Sequence, residues 1–528
     1  MSPSSLAAQL PMLPVVVPLL AGALLLALGR RGGPLAGTLS LTVLLAVLAC
    51  AVALATRTAD GTVLAYLAGN WPAPFGIALA VDRFSATMLV VAALVAIACQ
   101  LAAVDDLAAR QPAFPALLQF QLAGLNGAFL TADLFNLFVF FEVLLVASYA
   151  LLVSTVGRDS VRAGVHYVAV NLFASALFLM AAALLYGVLG TLNMADLASR
   201  TAAVPGADRP LVEAAGLMLL VAFGIKAAAL PLGTWLPSTY AAAPPPVAAL
   251  FAIMTKVGLY AIARVGTLVY GDGSYQHVLG PLLVAIGLGT LAFAALAGLA
   301  ARDLRTLAAW MIAGSAGTVL LLVGVGTPRS LGAAMFYLPH ATFAAAALML
   351  VAGLLATARG PEFADRFEAG PRPAAAALLG TLFVVCALAS AGLPPFSGFV
   401  AKAILLDSVR GEGVTAAAWL VVLGASLAWV VALSRAGSRL FWKSQDAGRA
   451  AVGGGVASAG AGALSAIALL VAAGATIVVL AGPLARHFAA AGSQLAASGA
   501  YRDAVLRQQP VRRPAAPVPA GSMPERSR

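Results

Sequence analysis

Long apolar stretches, rather than short alternating ones, dominate the hydrophobic pattern of this chain. An α-helix needs about 20 mostly apolar residues to cross a bilayer, and fourteen stretches of that kind follow one another in the sequence. They begin near Met12, Gly37, Phe84, Ala113, Leu134, Gly164, Leu211, Ala242, Val278, Thr306, Ala334, Ala375, Thr415 and Ala459. The pattern predicts an all-α polytopic membrane protein with about 14 transmembrane helices, and an even number of spans places both termini on one side.

Proline interrupts two of these predicted spans. The seventh contains FGIKAAALPLGTWLP at residues 223–237, and the twelfth contains SAGLPPFSGFVAKAILL at residues 390–406. Proline removes a backbone donor and clashes with the preceding turn, and in hydrocarbon the freed carbonyls need partners from protein or from a water-filled cavity. A simple kink would explain either proline alone. Two discontinuous helices in corresponding positions instead indicate internal repeats with a site near the bilayer midplane.

The two interruptions lie five spans apart, which suggests a repeat of five helices. Because five is odd, consecutive copies must have opposite orientations, so the repeat is inverted. We expect helices 1–3 in residues 1–110, the first repeat (helices 4–8) in 111–270, the second (helices 9–13) in 271–445, and helix 14 in 446–485. Residues 486–528 are basic and rich in Ala and Pro towards the end, and we expect a disordered tail there.

Lysine and arginine residues in short loops indicate the orientation, because cytoplasmic loops contain more of them. With the N-terminus outside, fourteen such residues fall in inner loops and seven, including Arg264, fall in outer loops. The basic tail opposes this orientation, but the rule weakens far from the end of a span. We therefore predict a multi-pass protein of the cell (inner) membrane with both termini on the outer side.

The composition agrees with a membrane protein and excludes several other classes. Hydrophobic residues make up 62% of the 528 residues and charged residues only 10%, where soluble domains have about 25% charged residues. The net charge of +11 comes from Arg residues scattered between apolar runs, so we expect no nucleic-acid partner. The three cysteines and four histidines lack metal-ligand spacing, so we expect no metal or cofactor.

The distribution of lysine is the most informative feature of the sequence. The chain has four lysines against twenty-seven arginines, and Lys226, Lys256 and Lys402 lie inside apolar spans. Arginine keeps its charge in proteins, whereas a buried lysine can release its proton. Each charge near the bilayer centre costs roughly 3 kcal/mol, so three of them together indicate a function. We interpret them as proton carriers, although Lys402, near a helix end, could instead extend to the membrane surface.

Two further titratable residues accompany the lysines. Glu142 lies in the middle of the fifth span, DLFNLFVFFEVLLVASYALL, and Lys226 is its candidate counter-ion. A protonated glutamic acid that is merely hydrogen-bonded in place is the alternative. His340 follows Pro339 in the eleventh span and could relay protons near neutral pH, or it could be a structural residue. Other acidic residues at span ends are expected to be interfacial, namely Asp82, Asp133, Glu213 and Asp407.

These motifs resemble a known family. The stretch around Glu142, the run FGIKAAALPLGTWLPSTYAAAPPPVAALFAIMTKVGLYAIAR with Lys226 and Lys256, and GLPPFSGFVAKAILL with Lys402 are similar to the proton-translocating, antiporter-like subunits of respiratory complex I and its relatives. The likeness is strongest to the D-type subunit of Mrp/Pha-type monovalent cation/proton antiporters and covers nearly the whole chain. It implies a fourteen-helix fold with two inverted five-helix repeats and discontinuous helices 7 and 12.

The resemblance also implies functions for individual residues. Glu142 and Lys226 would form a coupling pair, Lys256 a central relay and Lys402 the terminal gate, with His340 at a polar relay position. Many relatives have a lysine shortly after this histidine, but Thr342, Phe343 and Ala344 follow here, so the relay would depend on His340 and water. The short C-terminal segment argues against the L-type complex I subunit, and Lys402 argues against the M-type, which resembles this pattern with a glutamate there.

Three hypotheses about function follow. The first is a proton-translocating subunit of a multi-subunit Na+ or K+/H+ antiporter, with other membrane subunits, protons, Na+ or K+ and the lipid bilayer as partners. The second is an antiporter-like subunit of respiratory complex I or a membrane-bound hydrogenase, without a redox site of its own. The third is a stand-alone transporter of an organic solute, which would need a pocket shaped for its substrate. The titratable series favours the first two.

Overall fold

In a computed structural model of the chain, the structure describes residues 9–104, 107, 111–153, 158–271, 275–370, 372–373, 375–443 and 460–508. The predicted inner-loop charges at Arg110 and Arg449 and the end of the predicted tail, 509–528, lie outside the described residues. All five candidate site residues lie within them.

The described residues form nineteen α-helices and one short β-hairpin. The helices are α1 Leu13–Leu28, α2 Gly33–Arg57, α3 Arg83–Ala103, α4 Phe114–Leu130, α5 Leu134–Val153, α6 Arg158–Leu189, α7 Met194–Ala202, α8 Arg209–Lys226, α9 Trp235–Ala242, α10 Pro245–Val269, α11 Tyr275–Leu299, α12 Leu304–Val325, α13 Pro328–Phe363, α14 Ala376–Ala391, α15 Ser397–Ser408, α16 Thr415–Gly437, α17 Ala461–Val479, α18 Ala481–Ala496 and α19 Gly499–Leu506. The hairpin pairs β1 Leu64–Leu67 with β2 Ala78–Val81 in antiparallel register.

The prediction of an all-α polytopic membrane protein is confirmed. Among the described residues, ten helices are long and apolar enough to cross a bilayer, and α1 and α14 are shorter apolar helices. Each of the fourteen predicted stretches coincides with at least one helix. The seventh and twelfth are discontinuous: α8 and α9 form the seventh span, and α14 and α15 form the twelfth. The division into two repeats with the boundaries given above remains a prediction.

The most deeply buried helices form a central group that contains the candidate site. The most apolar segment of α10 is 100% buried, and those of α12, α3 and α13 are 89%, 78% and 72% buried. By contrast, α2 and α17 are only 28% and 22% buried although they are just as apolar, so their outward faces suit lipid rather than water. Helix α10 packs against α3, α8, α12 and α13, which places it at the centre of this group.

The predicted tail is not disordered where the structure describes it. Residues 486–496 belong to α18 and residues 499–506 to α19, so the prediction of disorder is wrong for this part. Phe488 packs edge-on against Phe336 at a centroid distance of 5.7 Å, and Tyr501 and Val505 are buried. These apolar side chains recur at helical spacing among small and charged residues, and they give the segment an apolar face to bury. The side-chain amide of Gln494 also donates to the carbonyl of Gly61, at 2.8 Å.

Candidate functional site

The first discontinuity, in the seventh span, places Lys226 at the last position of α8. After it the chain leaves the helix, because Pro231 has no backbone N–H and cannot continue the hydrogen-bond pattern. The backbone groups that this releases find partners: Leu230 N–H donates to Thr290 Oγ1 at 3.0 Å, and the indole of Trp235 donates to the carbonyl of Ile225 at 3.1 Å. The polar groups at the discontinuity therefore have hydrogen-bond partners inside the protein, as a membrane interior requires.

A close helix contact holds this discontinuity against α10. A Cβ atom added at Gly258 would lie 2.8 Å from the backbone nitrogen of Ala227 and 2.9 Å from the carbonyl oxygen of Phe223. Only glycine permits this approach, since real Cβ contacts are longer. The contact brings the end of α8 next to the helix that contains Lys256.

Glu142, Ser175 and Lys226 form the first cluster of the site. Lys226 Nζ donates to Ser175 Oγ at 3.1 Å, and Ser175 Oγ donates to Glu142 Oε1. The ring of Phe141 lies 4.9 Å from Lys226 Nζ, in cation–π geometry. Glu142 and Lys226 form no direct ion pair within 4.0 Å in the described part of the chain, so the serine joins them.

Lys256 forms the second cluster, on α10. Its side chain is fully buried, and Nζ donates to Ser315 Oγ of α12 at 2.6 Å. The hydroxyl of Ser315 in turn donates to the carbonyl of Ile312, one turn earlier, at 2.6 Å. Ser315 therefore accepts from the lysine while its own proton is used within its helix.

The second discontinuity, in the twelfth span, positions Lys402. Helix α14 ends at Ala391, Gly392 adopts a left-handed conformation with φ +81°, and α15 begins at Ser397 after two prolines. Lys402 Nζ reaches back to the open end of α14 and donates to the carbonyl of Ala391 at 2.6 Å and to Ser426 Oγ at 2.8 Å. A cation at a helix C-terminus is stabilised by the exposed carbonyls and the helix dipole.

His340 lies in the buried part of α13 and meets the start of α15. Its Nδ1 is 2.9 Å from Ser397 Oγ. A small cavity of about 40 Å³ connects it to the neighbouring clusters, with room for a few water molecules. The polar side chains around this cavity come from several helices and include Ser315, Tyr337, His340, Ser390, Lys402 and Ser426.

The five predicted residues therefore fall into four hydrogen-bonded groups: Glu142 with Lys226, and Lys256, His340 and Lys402 each with partners of its own. The cavity brings His340 and Lys402 together and reaches Ser315, the partner of Lys256. No hydrogen bond joins Lys226 to Lys256 among the described residues, so the first cluster is linked to the second through helix packing, including that of α8 on α10. A path from Glu142 to Lys402 thus consists of four hydrogen-bonded groups separated by gaps.

The hydroxyl groups of the site are not among the residues that the sequence predicts. Ser175, Ser315, Ser397 and Ser426 each touch at least one titratable group of the series. A serine in an apolar helix is a weak signal, because its hydroxyl can bond to its own backbone one turn away. Only the contacts between helices distinguish these four from the remaining serines.

The loop assignment of Arg264 is wrong, whereas Asp82 lies at the end of its span, where it caps α3. Arg264 lies inside α10, and its side chain forms a buried ion pair with Asp82 at the start of α3, at 2.7 Å. The loop prediction for Arg264 fails because α10 extends beyond the predicted apolar stretch. Helix α19 also covers the pair: the ring of Tyr501 lies 4.8 Å from the Arg264 guanidinium.

Comparison with known proteins places this arrangement in a family. The model of a family described as NADH:quinone oxidoreductase/Mrp antiporter, transmembrane, matches residues 131–428, a segment that contains all five candidate residues. The chain belongs to this family. A relative from Rhizobium meliloti (strain 1021), described as the probable D-type subunit of a K+/H+ antiporter, is 38% identical over 94% of this chain and 97% of its own length.

Other members of the NADH:quinone oxidoreductase/Mrp antiporter family agree. The D-type subunit of the Na+/H+ antiporter of Bacillus subtilis (strain 168) is 36% identical over 71% of this chain and 75% of its own length. Among solved structures, a chain of the Mrp complex from Dietzia sp. DQ12-45-1b superposes with a TM-score of 0.82 at 29% identity, over 96% of this chain and 100% of that one. A chain of respiratory complex I from Thermus thermophilus shares the fold, with a TM-score of 0.74 at 24% identity over 92% and 99%.

Proposed function

We propose that this chain is the proton-translocating subunit of a multi-subunit Na+ or K+/H+ antiporter. The observation that supports this most is the series of five titratable side chains inside apolar helices, each with a hydrogen-bond partner on another helix or at a helix break. Ionisable groups in a membrane cost roughly 3 kcal/mol each. Groups that only supported the fold could be replaced by apolar residues at lower cost.

The five residues have distinct roles in this proposal. Glu142 and Lys226 form the coupling pair, Lys256 is the central relay, and Lys402 is the terminal gate at the second discontinuity. His340 passes protons between Lys256 and Lys402 through the cavity that reaches Ser315. Lysine suits this work because a buried ammonium can give up its proton, which arginine does not do in proteins.

The exchanged cation would pass through partner subunits. A hard cation is bound by several oxygen ligands, and the described residues contain no group of three or more His, Cys, Asp or Glu side chains that could hold an ion. The relatives from Rhizobium meliloti and Bacillus subtilis are named as subunits of K+/H+ and Na+/H+ antiporters. We extend that partnership with other membrane subunits to this chain.

We place the assembly in the cell (inner) membrane with both termini outside. The short loops predicted to be inside contain about twice as many basic residues as those predicted to be outside. Removing the two buried arginines, Arg264 and Arg359, takes one residue from each count and leaves the ratio about the same.

The other hypotheses have less support. The likeness to the complex I chain rests on a fold that redox-driven and cation-driven assemblies share. The identity of the neighbouring genes would distinguish a redox-driven assembly from an antiporter. An organic solute would need a pocket of about 300 Å³ or more with a few placed polar groups. The polar cavity between the titratable residues has a volume of about 40 Å³, and the larger cavity beside His340, of about 260 Å³, is lined almost entirely by apolar side chains.

The test is pH exchange in membrane vesicles from a host that lacks its own antiporters. Vesicles with the whole gene cluster should change their internal pH in response to added Na+ or K+, followed by a pH-sensitive dye. Vesicles with this gene alone, or with the cluster lacking it, should show little exchange. Robust cation-driven exchange from the single gene would contradict the assignment as a subunit and favour a stand-alone transporter.

A further inference from the structure

Three serines accept a hydrogen bond from the three lysines of the membrane spans, but they donate their own protons to different acceptors. Ser315 donates to the carbonyl of Ile312 and Ser426 to the carbonyl of Val422, each in its own helix. A hydroxyl has one proton, so in this arrangement these two serines only accept from Lys256 and Lys402. They stabilise the ammonium groups, but their own protons are not donated to a second titratable side chain.

Ser175 differs from both. It accepts from Lys226 Nζ at 3.1 Å and donates its single proton to Glu142 Oε1. Of the lysine-bound serines in the described residues, it alone gives its proton to a second titratable side chain. Ser175 is 4% exposed and Lys226 is 5% exposed, so the contact is shielded from bulk water.

We propose that Ser175 is the proton bridge between Lys226 and Glu142. In one concerted step an N–H bond of the Lys226 ammonium breaks and an O–H bond forms on Ser175, while the original Ser175 O–H bond breaks and an O–H bond forms on Glu142 Oε1. The lysine becomes a neutral amine and the glutamate a neutral acid. The serine ends as a hydroxyl, and the reverse step restores both charges.

This bridge explains how the pair can exchange a proton without moving. A direct ion pair would hold both charges together, and separating them in a medium of low dielectric would be costly. With the hydroxyl between them, the pair can switch between charged and neutral forms by the transfer of two protons over hydrogen-bond distances. The ring of Phe141, whose centroid lies 4.9 Å from Lys226 Nζ, stabilises the ammonium form. It therefore opposes the shift to the neutral pair.

The inference rests on the proposed function, in which Glu142 and Lys226 are the coupling pair, and it adds a residue that the pair requires. The alternative is that Ser175 only packs between α5 and α8. A packing role depends on side-chain volume and a bridging role on the hydroxyl, so the two respond differently to conservative substitutions.

The experiment uses the whole gene cluster in the vesicle assay, with equal complex assembly verified for every variant. Ser175→Ala removes the hydroxyl, and Ser175→Thr keeps it. Ser148→Ala is the matched control: Ser148 is also buried, lies on the same helix as Glu142, and hydrogen-bonds to a titratable side chain, the hydroxyl of Tyr167 at 2.9 Å. Glu142→Gln tests the pair itself.

We expect Ser175→Ala to slow the initial exchange by about a hundredfold, the lower end of what a positioned proton-transfer group contributes. Ser175→Thr should keep most of the rate and Ser148→Ala nearly all of it.

Equal losses in Ser175→Ala and Ser175→Thr would overturn the bridge, because the hydroxyl would then make no difference. Near-normal exchange in Ser175→Ala with an inactive Glu142→Gln would overturn the bridge and leave the pair intact. Normal exchange in Glu142→Gln would contradict the proposed function of the pair as well.

Discussion

Arg264 Nη1 lies 2.7 Å from Asp82 Oδ2, and both side chains are almost fully buried, with 4% and 3% exposure. A second bond joins Nη2 to Oδ1 at 2.8 Å, so the contact is bidentate. Asp82 also caps α3 by accepting from the backbone N–H of Ser85 at 2.9 Å. With the ring of Tyr501 against the guanidinium, the pair ties α10, the start of α3 and the C-terminal helix α19 together.

Breaking this ion pair should destabilise the protein. Asp82→Asn keeps the shape and the helix cap but leaves the Arg264 charge buried without a carboxylate to balance it, which typically costs about 3–5 kcal/mol. We expect a clear drop in the thermal midpoint of the purified protein. Asp407→Asn is the control, because Asp407 meets Arg410 at 4.0 Å with both side chains at least 70% exposed, and such surface pairs contribute about 0–1 kcal/mol. Similar midpoints for the two variants would contradict this role of the pair.

The contact between α11 and α12 should not tolerate a methyl group. A Cβ atom at Gly317 would lie 2.6 Å from the carbonyl oxygen of Gly287, and one at Gly287 would lie 2.4 Å from the backbone nitrogen of Leu321. Small residues let membrane helices approach this closely. Gly317→Ala should therefore force the helices apart and reduce the yield of monodisperse protein in size-exclusion chromatography.

Gly289 provides the control for that contact. It lies on α11 and nothing is within 4 Å of its added Cβ, so Gly289→Ala should behave like the wild type. If Gly317→Ala gave as much monodisperse protein as Gly289→Ala, the close approach of the two helices would be disproved.

We expect Gly392 to be required for transport because it leaves space for the Lys402 ammonium group. An added Cβ would lie 2.8 Å from Lys402 Nζ, so Gly392→Ala should displace the ammonium from the carbonyl of Ala391 and slow cation-driven exchange. Gly411→Ala is the matched control, since Gly411 has φ +86° against +81° for Gly392 but nothing within 4 Å. Both variants have a comparable backbone strain of about 1–2 kcal/mol. Equal transport by the two would show that the position of Lys402 is unimportant.

The sequence predicted the helices and both discontinuities well, because each depends on local composition. A run of about 20 apolar residues and a proline within it are visible in any window. The Arg264–Asp82 pair was missed for the opposite reason. The two residues are 182 positions apart, and their burial depends on helices that pack together only in the fold. The position of Ser175 was missed likewise, because its distinguishing property is the direction of one hydrogen bond between helices.

The C-terminal segment is a second feature that the sequence did not predict correctly. Its basic composition predicted disorder, but Phe488, Tyr501 and Val505 provide buried contacts for α18 and α19. A few apolar side chains at helical spacing outweighed the average composition, and single-residue positions of this kind are invisible to a compositional argument.

The proposal as a whole requires that the buried lysines work as proton carriers rather than as fixed charges. Lys256 is the best place to test this, because its side chain is fully buried and bonded to a serine whose own proton is used within its helix. Lys256→Arg keeps the positive charge but removes the accessible neutral state, and Lys256→Ala removes both. Lys443→Arg is the control, since Lys443 is exposed and lies shortly after the end of α16, outside the membrane helices.

The decisive measurement is the initial rate of Na+- or K+-driven pH exchange in vesicles that contain the whole cluster with each Lys256 variant, at equal complex assembly. If Lys256 carries protons, exchange in Lys256→Arg will fall nearly as far as in Lys256→Ala, and Lys443→Arg will match the wild type. If Lys256→Arg retains most of the wild-type rate while Lys256→Ala is inactive, Lys256 is a fixed electrostatic element and the proton-carrier proposal is wrong.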